Sequence, residues 1–147
     1  MYADIQRYTA IFSRKMRADL NHSLEKYNLN DANFFYLTIL AQSPGINQNY
    51  FSKSLGRDQS LVTKQINKLT KQGWITKKVS RTDRRNSELY LTPKAEAILT
   101  DLAKITQETS ELSVAGLTRA ERSEFKRLLK KAALTYAKPL LTDDPHR

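Results

Sequence analysis

The chain has 147 residues, enough for one ordinary core and too few for two. It carries 25 Lys plus Arg against 15 Asp plus Glu, a formal charge of +10, and the segment from Lys53 to Lys94 alone, with 11 basic residues and three acidic ones, holds +8 of it. Such a concentration suits a polyanionic partner, while the lack of cysteine excludes disulfides, thiolate metal sites and thiol-based redox sensing.

The opening Met-Tyr-Ala-Asp-Ile-Gln-Arg has no basic start followed by an apolar run, so no signal peptide is expected. From Tyr2 to Tyr27, apolar residues at Ile5, Tyr8, Phe12, Met16, Leu20, Leu24 and Tyr27 trace one face of a long first helix. Asn30 or Asp31 is placed to cap a second helix through Phe34, Phe35, Leu37, Ile39 and Leu40, which Ser43-Pro44-Gly45 stops. Its apolar residues go nearly all round, as in a helix at the centre of a core. The longest uncharged stretch, Ala32 to Ser52, is interrupted by that Pro-Gly and rich in Asn and Gln, so no membrane span is expected and the chain reads as cytoplasmic.

Two short helices follow, Asn47 to Leu55 ended by Gly56, and Gln59 to Gln72 capped by Asp58 and ended by Gly73. The pattern then changes period: Trp74 to Val79 and Ser87 to Leu91 read as strands around the polar loop Ser80 to Asn86. Helix, turn, helix and hairpin in that order outline a winged helix-turn-helix. Thr92-Pro93 starts a further helix carrying Ile98, Leu102, Ile105 and Leu112, which Gly116 breaks. Thr118 and Glu121 have the spacing of a capping box before a last helix with Phe125, Leu128, Leu129, Ala132 and Tyr136, and Pro139 stops it ahead of a tail expected to be disordered. The fold class is mainly α with one small β-hairpin.

In the helix from Gln59, Val62, Ile66 and Leu69 fall on one side, and Ser60, Thr63, Lys64, Asn67 and Lys71 on the other, within an arc of about 100°. Any surface helix has a polar face. This one lacks carboxylates and mixes hydroxyl, amide and ammonium groups, which donate to phosphates and to base edges in the major groove. Ser60 and Thr63 also stand near the helix N-terminus, where backbone N–H groups and the dipole favour phosphate oxygens. At the hairpin tip, Arg81, Arg84 and Arg85 surround Asp83. A basic turn in solvent is the plain reading; in the functional one Asp83 orients an arginine that enters a narrow minor groove.

The run from Leu55 through Asp58, Ser60, Thr63, Lys64 and Ile66 to Gly73-Trp74-Ile75, followed by Asp83-Arg84-Arg85 and by Leu89-Tyr90-Leu91-Thr92-Pro93-Lys94, resembles the MarR family of bacterial winged-helix regulators over nearly the whole chain. The resemblance implies a homodimer in which Ser60, Thr63, Lys64 and their neighbours face the major groove of a pseudo-palindromic duplex DNA operator. It places Arg85 in the minor groove, held by Asp83. It also implies dimerisation helices at about residues 1–29 and 93–138, a DNA-binding lobe at about 30–92 and a tail at 139–147. A repressor released by a small aromatic or phenolic effector is the implied mode of action, with no cofactor. Lys64 stands where such proteins often have Arg, which weakens bidentate guanine readout. Ala95 stands where Gly is usual.

Tyr8, Met16, Phe34 and Phe35 have the residue types of an effector pocket, but core packing explains their spacing better. An enzyme is disfavoured: there is no phosphate-binding Gly-rich loop, and the only histidines are His22 and His146. The alternative is a winged-helix module for RNA or a protein partner. An RNA binder needs exposed aromatic platforms, whereas Trp74 and Tyr90 are expected to pack in the core.

Overall fold

A computed structural model describes residues 2–82 and 86–138. The first apolar periodicity forms α1, Tyr2–Leu24, whose last turn tightens into a 3₁₀ turn at Glu25–Tyr27. Asn28 ends it in the left-handed region at φ 53°, where Asn is tolerated, with its N–H on the Glu25 carbonyl at 2.9 Å. Burial rises along the α1 stripe: Ile5 and Tyr8 are exposed, Phe12, Met16 and Leu20 half-buried, and Leu24 fully buried.

The next helix, α2 at Phe34–Gln42, starts later than the proposed caps allow. The Asn30 side chain turns back to the Ala32 N–H, and the Asp31 carboxylate accepts the Arg17 Nε–H at 2.7 Å instead of capping. The remaining elements are β1 (Ile46–Asn47), α3 (Gln48–Ser54), α4 (Gln59–Lys71), β2 (Ile75–Val79), β3 (Ser87–Leu91), α5 (Pro93–Glu96), α6 (Leu99–Ser113) and α7 (Arg119–Ala137). Two further expectations need correcting. The hairpin is part of an antiparallel three-stranded sheet, β1-β3-β2, with Ile46 opposite Leu89 and Lys77 also opposite Leu89. The helix begun at Pro93 is interrupted at Ala97 and Ile98, where the Ile98 N–H bonds back only three residues, to Ala95. The Thr118 and Glu121 box forms as expected, each side chain accepting the other residue's N–H, at 3.3 and 2.8 Å.

The described residues within Met1–Phe34 and Thr100–Arg127 form one compact unit, and those within Phe35–Leu99 and Leu128–Arg147 a second. In the first, Phe12 meets Phe125 with ring centroids 5.6 Å apart. Asp101 there receives the Lys26 ammonium at 2.8 Å and the Tyr27 hydroxyl. Hydrogen bonds from Lys26 and then Tyr27 hold the Asp101 carboxyl below the usual carboxylate range. In the second unit Tyr36, Leu37, Leu40, Phe51, Val62, Ile66, Leu69 and Leu89 are buried together, with Tyr36 edge-on to Phe51. Gly45 is required by this packing: at φ 82° a Cβ on it would stand 2.8 Å from the Tyr90 hydroxyl. Among the described residues no helix is long and apolar enough to cross a membrane.

Candidate nucleic-acid interface

The polar face of α4 is set by how the helix starts and what it buries. Asp58 accepts the N–H groups of Ser60 and Leu61 at 2.8 and 3.3 Å, and Gly73 at φ 82° lets the chain turn from α4 into β2. Val62, Ile66 and Leu69 are completely buried, which fixes the rotation of the helix. Ser60, Lys64, Asn67 and Lys71 are then exposed and Thr63 is half-buried, all on one shallow concave surface. The Asp58 cap corrects one expectation. The N–H groups that were to attract phosphate beside Ser60 are already bonded to a carboxylate.

The same surface includes Gln59, Gln65 and Lys68, which the sequence argument left out. Lys68 stands only about 40° round the helix from Lys64, so the helical count could have found it with a wider arc. Lys77 is a further omission. Its ammonium reaches from β2 to the Asn67 side-chain oxygen at 2.6 Å. Reading residue by residue along a strand gives no sign of that contact.

Several charges of the basic segment have local partners. Lys94 donates to the Gln72 carbonyl at 2.7 Å, closing the C-terminal end of α4, and lies 4.1 Å from the Trp74 ring centroid. Arg57 covers the Phe35 ring and Lys78 the Tyr90 ring, at 5.1 and 4.8 Å. Tyr90 also donates to Glu88, and this hydrogen bond raises its phenol pKa. Lys53, Lys64, Lys68, Lys71 and Arg81 are exposed. The base of the wing is held by the Ser80 N–H on the Asn86 carbonyl at 2.9 Å and by Asn49 of α3, whose amide donates to the Asn86 side-chain oxygen at 2.8 Å. The predicted wing residues Asp83, Arg84 and Arg85 lie outside the described residues. Among the described residues no three His, Cys, Asp or Glu side chains gather as metal ligands, and His22 is exposed on α1.

A family model described as the MarR family matches residues 29–87, from the start of the turn before α2 to the first residue of β3. The solved structure of the MarR protein from Peptoclostridium difficile is 26% identical, with a TM-score of 0.83 over 92% of this chain and 88% of that one. The chain is similar to the MarR family in residues 29–87 and in its fold. MarR-family members are transcription regulators, not enzymes. The HTH-type transcriptional regulator YybA of Bacillus subtilis, whose own role is uncharacterized, is 24% identical over 126 residues, 86% of this chain and 84% of its own length. A cysteine-to-serine mutant of MarR from E. coli, solved in complex with operator DNA, has the same fold, with a TM-score of 0.79, 23% identity and coverage of 88% of this chain and 93% of that one. Within the MarR fold, α3 and α4 are the helix-turn-helix and β2–β3 the wing.

Proposed function

We propose that this chain is a MarR-family regulator that binds double-stranded DNA sequence-specifically as a homodimer, and that it is a cytoplasmic repressor released by a small aromatic or phenolic effector. The observation that carries the DNA reading is α4: a helix with a fully buried apolar stripe whose outward face, from Gln59 to Lys71, has hydroxyls, amides and ammonium groups and no carboxylate. In this reading Ser60, Thr63, Lys64 and Asn67 meet the major groove and Lys71 a phosphate. Arg81, Arg84 and Arg85 form the basic wing, with Asp83 orienting Arg85 toward the minor groove. Exposed apolar residues on both terminal helices, Ile5, Tyr8, Leu128 and Leu129, supply the surface for a second copy.

Two observations speak against an RNA platform. Trp74 is buried, and the Tyr90 ring is half-buried with Lys78 over it, so neither offers a free face for base stacking. Selection of bound duplexes from a random DNA pool tests the proposal. The expected product is a pseudo-palindrome with half-sites ~10 base pairs apart, centre to centre. Recovery of no preferred duplex, together with tighter binding to single-stranded RNA, overturns it.

A further inference from the structure

We infer that Lys77 is a positioning residue that sets the base preference of Asn67, by holding the oxygen of its side-chain amide and leaving the amide nitrogen to face DNA. The inference rests on α4 being the helix that reads DNA.

Lys77 is paired through β2 with Leu89 of β3, so its main chain is fixed in the sheet. It is half-buried between the exposed Thr76 and Lys78, on the side of the strand that Ile75 buries. From there its Nζ donates to Asn67 Oδ1 at 2.6 Å. An ammonium has three donors and no acceptor, so the atom of Asn67 that faces it must be the oxygen. The bond is charge-assisted, and stronger than one between neutral groups.

This changes what Asn67 can recognise. An asparagine pairs with adenine in the major groove through both ends of its amide, accepting from N6 and donating to N7. Oδ1 keeps a second lone pair, but the ammonium bonded to it weakens it as an acceptor and sets a positive charge where the adenine N6 donor would have to approach, so the group favoured to contact a base is Nδ2, a donor. Guanine offers two adjacent acceptors, N7 and O6, where adenine offers one acceptor beside a donor. Lys64 and Lys71, one turn to either side on the same exposed face, add positive potential that also favours acceptor edges. Asn67 therefore reads guanine over adenine, and the residue that makes it do so lies outside the recognition helix.

The test uses the full chain and the duplex it selects, with binding measured against all four bases at each half-site position. The position read by Asn67 is the one whose preference disappears in Asn67→Ala. The parent should prefer guanine there. Lys77→Met, which keeps the apolar stem and removes the ammonium, should move the preference toward adenine by about tenfold. Lys77→Arg should retain the guanine preference, and Lys77→Met should change no preference when Asn67 is already Ala. Should circular dichroism show Lys77→Met to be unfolded, Lys77→Thr replaces it, being suited to a strand and too short to reach Asn67. If the neutral variant instead weakens all duplexes alike, with a shallower salt dependence, Lys77 is a phosphate contact and the inference fails. A parent that prefers adenine at that position also overturns it, with DNA binding intact. A parent that selects no duplex overturns the DNA reading itself, and this inference with it.

Discussion

Two helices with similar sequence patterns have opposite fates. In α4, Val62, Ile66 and Leu69 recur at helical spacing and all three are completely buried. In α7, Phe125, Leu128, Leu129, Ala132 and Tyr136 recur in the same way, yet none is buried; Leu128 and Leu129 are 49% and 51% exposed. Periodicity identifies a face that gains from being covered, and does not say by what. The α4 stripe is covered by its own chain and so fixes which residues point outward. In the α7 stripe Phe125 meets Phe12 while Leu128, Leu129 and Tyr136 stay exposed, and under the proposed function a second copy covers them.

Substitutions should separate the two cases. The largest effect is expected in α4: Ile66→Ala or Leu69→Ala should cost ~2–5 kcal/mol of stability in denaturant titrations, because each leaves a cavity in a core with no free surface to collapse into. The shift should not depend on protein concentration. Next comes α7, where Leu128→Glu with Leu129→Glu should leave helix content unchanged and convert a dimer at micromolar concentration into a monomer by sedimentation. Operator affinity should fall with it, since each half-site would then be bound alone. If the parent is already monomeric at that concentration, the exposed α7 face has some other cover and the homodimer is refuted.

The comparison also shows what could be read in advance. Most features made by residues within one helical turn were legible: Asp58 capping α4, Thr92 before Pro93, the box of Thr118 and Glu121, and the buried stripe Val62, Ile66 and Leu69, the exception being the cap of α2, where Asp31 is drawn off by the distant Arg17. Their partners are two to four residues away, and backbone geometry dictates them. Features that depend on distant chain were not. Strand β1 is two residues long, too short to show an alternation, and exists because Leu89 pairs with Ile46. No glycine or proline marks the interruption at Ala97 and Ile98. The candidate site divides along the same line. Its outward face followed from the helical count, while the bond from Lys77 to Asn67 and that from Asn49 to Asn86 depend on where the sheet packs.

The smallest expected effect lies on α7 itself and measures how far its cover extends. Arg127 grips Glu124 through two of its guanidinium nitrogens, Nη2 at 2.6 Å and Nε at 2.9 Å. These hydrogen bonds hold the Glu124 carboxyl below its ordinary value. A depressed folded pKa means the unfolded chain takes up the proton first. The pair's contribution is therefore present above the ordinary glutamate value, about 4.3, and is lost as the pH falls through the folded value. Both side chains are more than half exposed, so solvent screens the pair and Glu124→Gln should leave the thermal midpoint at neutral pH nearly unchanged. The small difference between parent and variant should vanish in acid. A second copy covering this turn would remove that screening, because burying one member of a broken pair leaves an uncompensated charge. Melting curves over a range of protein concentrations distinguish the two. A midpoint loss that is small and independent of concentration confines the dimer contact to the helix from Leu128 onward, while a loss of several degrees at high concentration that shrinks as dilution dissociates the dimer extends it back to Glu124.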